Sequence, residues 1–107
     1  MTSEKRRSPR FIIHQIVKLE YGRQEIIYAQ GKNISITGIL CYSTSCIELQ
    51  SRAYIMFSIP DHNELVQCEG VVVRCTAHGE GYVIGIEFSE LSEKDHKLIA
   101  GIADRHS

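Results

Sequence analysis

Two short clusters in this 107-residue chain hold side chains whose types and spacing could do chemistry. The first is Arg6-Arg7-Ser8-Pro9-Arg10, and the second is Asn33-Ile34-Ser35-Ile36-Thr37-Gly38. A guanidinium is planar and permanently charged. It forks onto paired anionic oxygens or lies flat on a ring face, which a lysine ammonium cannot do. In an extended chain Arg6, Ser8 and Arg10 point one way and Arg7 the other, and Pro9 biases Ser8 towards that geometry. The Cα atoms of Arg6 and Arg10 then stand roughly 13 Å apart, at about 3.3 Å per residue, a span suited to a two-point clamp. In the second cluster Asn33 offers a carbonyl acceptor and an amide donor, Ser35 a short hydroxyl, and Gly38 a positive φ or a close backbone approach. Read alone, each cluster has a plain explanation. The first is a solvated basic tail, and the second a turn with side-chain-to-backbone bonds.

Nothing else in the chain resembles a reaction centre. No Ser/His/Asp or Cys/His arrangement is suggested by spacing, and carboxylates such as Glu64 and Glu69 lack a pocket context, so the chain is not expected to be an enzyme. Arg74 and Glu87 fall inside strand patterns and read as a cross-strand ion pair or a solvated face. His14 and His78 are expected to face solvent or a loop.

The elements that must position the clusters follow from periodicity. Residues 1–10 are polar, basic and broken by Pro9, and read as a flexible arm. Over residues 11–21, Phe11, Ile13, Val17, Leu19 and Tyr21 share one face at a two-residue period interrupted only by Gln15, which predicts a half-buried strand. Gly22-Arg23 turns the chain into a second run at 24–31, and the turn formers 33–38 separate that run from a third at 39–43. Residues 52–59 form a fourth run, ended by Pro60-Asp61-His62-Asn63. Residues 65–76, with three consecutive valines, form a fifth, and Gly79-Glu80-Gly81 leads into a sixth at 82–88. Six short strands at this spacing predict a small all-β antiparallel barrel or sandwich. After Ser92, a candidate N-cap with Asp95 three residues on, Leu98, Ile99 and Ile102 follow helical spacing. A helix over about 93–104 is expected to cover one opening of the barrel.

Composition narrows the function classes. Twelve basic residues balance thirteen acidic ones for a net charge of −1, which argues against a general DNA or RNA binder. No apolar run reaches a membrane span and no signal-peptide core is present, so membrane insertion is not expected and the cytoplasm is the expected location. The four cysteines, Cys41, Cys46, Cys68 and Cys75, contain no CxxC pair. They are expected to be reduced and to serve as small hydrophobes; with the five histidines they lack zinc-ligand spacing, so no metal is expected.

Taken together, the clusters resemble the signature of the PilZ domain family, RxxxR near the N-terminus and [D/N]xSxxG further along. Arg6 with Arg10 matches the first motif, and Asn33, Ser35 and Gly38 match the second. Glu69-Gly70-Val71-Val72-Val73-Arg74 and Gly85-Ile86-Glu87-Phe88, followed by Leu91 and the helix, are similar to the family's later strands, so the resemblance runs from about Glu4 to Ala103. It implies a six-stranded antiparallel β-barrel over residues 11–107 with a C-terminal helix, preceded by the arm. The ligand it implies is cyclic di-GMP, bound through Arg6, Arg7, Arg10, Asn33, Ser35 and Gly38, with no other cofactor. The chemistry agrees: arginine suits a phosphate, the O6/N7 edge of guanine or the purine face, while the Asn33 carbonyl can accept from guanine N1–H and N2–H₂. A stand-alone domain of this kind implies an adaptor that signals to a partner protein in trans. The alternative is a PilZ-like domain that works through protein contact without nucleotide.

Overall fold

The computed structural model describes residues 10–59 and 64–106. Arg6, Arg7 and the rest of the expected arm to Pro9 lie outside the described residues, as does the Pro60-Asp61-His62-Asn63 cluster. The described chain forms β1 (Phe11–Ile12), β2 (Ile16–Tyr21), β3 (Glu25–Ile34), β4 (Gly38–Ser43), β5 (Arg52–Ser58), β6 (Leu65–His78), β7 (Gly81–Glu90) and α1 (Glu93–His106). The strands pair in the order β1-β3-β2-β5-β6-β7-β4, and β3 also pairs β4. That last pairing closes the sheet into an antiparallel barrel of six strands, with β1 and β2 as two pieces of the first.

The expected strand over residues 11–21 is therefore broken, and the reason lies in β3. Phe11 and Ile12 pair Ile34 and Asn33, whereas Ile16 pairs Gln30, so the first strand carries one residue more than its partner. The break is held by Ile13 N–H donating to the Lys32 carbonyl (3.0 Å) and Gly31 N–H donating to the Gln15 carbonyl (2.8 Å). Ile13 turns into the core over Gly31, where a Cβ would stand 2.6 Å from Ile13 Cδ1. Glycine at this position makes room for the side chain that the break delivers. On its other edge β3 bulges at Lys32, because Gly31 pairs Cys41 while Asn33 already pairs Leu40.

The core inside the barrel takes alternate residues of each strand, among them Val17, Leu19, Ile34, Ile39, Ile55, Phe57, Val72, Ile84 and Ile86, all nearly inaccessible. Each contributes about 1.5–3 kcal/mol of transfer free energy relative to exposure. The helix begins as its sequence predicts: Ser92 Oγ accepts from Asp95 N–H at 3.0 Å. Its stripe of Ile99, Ile102 and Ala103 joins the core cluster that includes Phe11 and Ile13. Among the described residues no helix is long and apolar enough to cross a membrane.

Two of the four cysteines depart from the expectation that all are reduced. Cys46, on the β4–β5 connection, and Cys75, on β6, are disulfide-bonded, with Cα atoms 6.2 Å apart and a sequence separation of 29. Closure of the barrel brings β6 beside that connection, a proximity that cysteine spacing does not reveal. Cys41 and Cys68 are free, and burial pushes both thiols up to about 12. At about pH 8 the folded protein should therefore resist alkylation at Cys41 and Cys68, since the thiolate is the nucleophile. Mass spectrometry after mild reduction should find label on Cys46 and Cys75 first. Losing this cross-link, by reduction or as Cys46→Ser, should lower the unfolding free energy in urea by about 3–4 kcal/mol, the loop-closure value for this separation.

Candidate functional site

Arg10, the last residue of the first cluster, meets the second cluster on the outside of the barrel where the chain leads into β1. The β3–β4 hairpin turns through Ser35, Ile36 and Thr37, so Asn33 sits at the end of β3 and Gly38 opens β4. Arg10, one residue before β1, is carried over this turn by the pairing of Phe11 with Ile34. Its guanidinium donates from Nε to Asn33 Oδ1 (2.5 Å), from Nη1 to Ser35 Oγ (3.2 Å) and from Nη2 to the Gly38 carbonyl (3.3 Å). The arginine of one motif thus binds all three defining residues of the other. Three of its five N–H donors are engaged, and two remain for an anion. Partial burial lowers the Arg10 pKa from its ordinary value by desolvation.

The turn is saturated from inside. Ser35 is fully buried, and its Oγ accepts from Thr37 N–H (3.1 Å) as well as from Arg10. With both lone pairs taken, the Ser35 hydroxyl proton is left to donate to Thr37 Oγ1, 2.9 Å away. In this structure the hydrogen-bonding capacity of Ser35 is spent on the turn and on Arg10. The hydroxyl that faces outward is that of Thr37, which the sequence reading passed over. Thr37 also ties the turn to β7, its carbonyl accepting from Phe88 N–H at 2.9 Å.

Gly38 differs in the same sense. Its φ is not positive, and its close approach is to protein rather than to open surface. A Cβ there would collide with the Ile86 carbonyl oxygen on β7. Its carbonyl accepts from Ser35 N–H (2.9 Å) as well as from Arg10.

Beside this assembly lies a shallow cavity of about 420 Å³ lined by Arg10, Asn33, Leu40, Arg74, Gly85 and Glu87, among others. Its floor is flat because Gly85, between Leu40 and Arg74, has no side chain; a Cβ there would stand 3.2 Å from Arg74 Cβ. A second bulge, on β6 between Val72 and Arg74, turns the consecutive side chains Val73 and Arg74 outward. The register sets Arg74 opposite Gly85 and Glu87 opposite Val71, and among the described residues Arg74 forms no ion pair. Strict alternation would turn Arg74 inward; the bulge shifts the phase by one and sets it at the cavity instead.

A model of the PilZ domain matches residues 4–104. The chain belongs to the PilZ domain family. Solved PilZ structures share its fold at low identity. Bacillus subtilis MotI, an inhibitor of motility, superposes with a TM-score of 0.81 at 19% identity, over 92% of this chain and 49% of MotI. The PilZ domain of Escherichia coli YcgR with c-di-GMP superposes at 0.71 with 11% identity, covering 94% of this chain and 90% of that domain. The MrkH–c-di-GMP complex of K. pneumonia gives 0.62 at 18% identity, over 94% and 55%. The chain thus spans about half the length of MotI. No curated protein sequence matches it.

The packing role of Gly38 in this PilZ barrel is testable by itself. Gly38→Ala should lower the unfolding free energy by about 1–3 kcal/mol, the cost of forcing a methyl group into a filled space. Gly22→Ala has open room for its Cβ but a positive φ of 59°, and should lose about 1–2 kcal/mol through backbone strain alone. Urea titration of the two variants separates the causes: deuterium exchange of the β4–β7 amides should rise in Gly38→Ala and not in Gly22→Ala.

Proposed function

We propose that this PilZ domain is a cyclic di-GMP receptor, a binding module rather than an enzyme, which reports ligand to a partner protein in the cytoplasm. The observation that carries this reading is the contact of Arg10 with Asn33, Ser35 and Gly38 together, beside a cavity that a second arginine lines. Support also comes from the PilZ relatives solved with c-di-GMP, which share this fold.

In this reading Arg10 presents its two remaining N–H donors to a phosphate or to guanine O6/N7, and Arg74 offers a guanidinium face or fork from the opposite side. Asn33 keeps one carbonyl lone pair and its amide for the guanine edge, while Ser35 and Thr37 hold the turn in place. Gly85 leaves the space into which a flat base fits. Arg6 and Arg7, the other arginines of the first motif, supply further charge-assisted contacts to the same ligand.

Isothermal titration with cyclic di-GMP tests the reading. The intact protein should bind, and Arg10→Ala should bind at least about tenfold more weakly, as loss of a charge-assisted contact implies. No heat at millimolar ligand would overturn the receptor reading and leave a domain that works through protein contact alone. Cyclic di-AMP carries the same phosphates but lacks O6 and the N2 amine, and should bind about a hundredfold more weakly, since unmet desolvated polar groups cost roughly 1–3 kcal/mol each. Asn33→Ala should narrow that gap more than Ser35→Ala, because Asn33 faces the cavity and Ser35 does not.

A further inference from the structure

On the other side of Asn33 lies a second cavity, of about 630 Å³, lined by Ile12, His14, Lys32, Asn33, Tyr42 and His78, among others. Asn33 is common to both cavities and forms the ridge between them. The β3 bulge that frees Asn33 also frees Lys32, so two consecutive side chains point out of the barrel, one at the ridge and one into the second cavity. At its far wall Tyr42 and His78 form an aromatic corner, with ring centroids 6.0 Å apart and planes at 83°. The Tyr42 ring is fixed in place by the β6–β7 hairpin: a Cβ on Gly81 would stand 2.8 Å from its hydroxyl and 2.9 Å from Cζ.

Among the described residues that line this cavity none is acidic, and Lys32 is a fixed positive charge. The larger groove on the β2–β5–β6 face, about 730 Å³, is the reverse, with Glu20, Glu69, Glu90 and Glu93 on its walls. An apolar surface at Ile12, a point charge and two aromatic faces at right angles suit one kind of group. That group is a purine stacked on one ring and met edge-on by the other, with its phosphate drawn to Lys32.

We propose that this second cavity is a guanine nucleotide subsite, so that bound ligand covers both sides of Asn33. The inference rests on the receptor reading above and extends it to Lys32, Tyr42 and His78. Cyclic di-GMP consists of two identical halves, and the barrel presents two adjoining cavities, each served by a bulge and a cationic side chain. Arg74 serves the first and Lys32 the second.

The test is a calorimetric titration of the intact protein and of Lys32→Ala, His78→Ala and Lys94→Ala with cyclic di-GMP. Lys32 and His78 are exposed, so their replacement leaves the fold intact. Lys94, paired with Glu64 at 3.5 Å on the helix, controls for net charge. Lys32→Ala and His78→Ala should each weaken binding by about fivefold to tenfold, with Lys94→Ala unchanged. Stoichiometry identifies the source of the group. A ratio of one ligand per chain that persists with lower affinity means both halves of one molecule. A ratio that falls from two to one means a second molecule in the second cavity. Both results support the subsite. If the intact protein binds and both variants match it in affinity and stoichiometry, the subsite is overturned while the receptor reading stands. If the intact protein does not bind, the receptor reading falls and takes the subsite with it.

Discussion

Closure of the barrel through β3 is the constraint on which the rest of the molecule depends. β3 pairs β1 and β2 along one edge and β4 along the other, so its backbone groups are committed on both sides. A barrel of six strands curves tightly, and the curvature is taken up where β3 passes Gly31 and Lys32. On one edge the first strand gains a residue and Ile13 drops over Gly31. On the other, Lys32 is expelled from the ladder. Each irregularity leaves the core filled while changing which side chains reach the surface.

The site is a consequence of that geometry. Once Phe11 is registered against Ile34, the preceding residue lies over the hairpin turn, within reach of Asn33, Ser35 and the Gly38 carbonyl. Arg10 supplies a donor to each. These hydrogen bonds are charge-assisted, worth about 1.5–3 kcal/mol each when partly shielded from water. They fix the guanidinium before any ligand arrives, so less rotamer freedom remains to be lost on binding. Ser35, at the centre, satisfies Thr37 and Arg10 at once, which gives a hydroxyl with no access to solvent a place in the motif.

The bulges at Lys32 and at Val73 share a physical logic. Strict alternation would give the outer face of each strand one side chain in two. By adding a residue, the bulges at Lys32 and Val73 place Lys32 beside Asn33 and Val73 beside Arg74 on the outside, concentrating polar and cationic groups where the barrel wall would otherwise be sparse. Gly85 and Gly81 complete this arrangement by omission, one leaving a flat floor and the other a seat for the Tyr42 ring.

Much of this was determined by the sequence itself. The alternation of Val17, Leu19 and Tyr21, or of Ile84 and Ile86, requires strands because a period of two buries one face only when the chain is extended. Ser92 sets the helix start because its hydroxyl caps a backbone N–H three residues on. The spacing of Arg10, Asn33, Ser35 and Gly38 was legible as a motif for the same local reason, being a matter of residue types along one chain. What only the tertiary structure decided depends on register between segments distant in sequence. The break after Ile12, the bulges, the pairing of Cys46 with Cys75 and the outward turn of Arg74 all follow from how the strands must slip past one another to close. So do the inward turn of Ser35 and the pressing of Gly38 against Ile86. A one-residue shift in pairing exchanges the faces of a strand, and periodicity within a single segment carries no record of its partner's register.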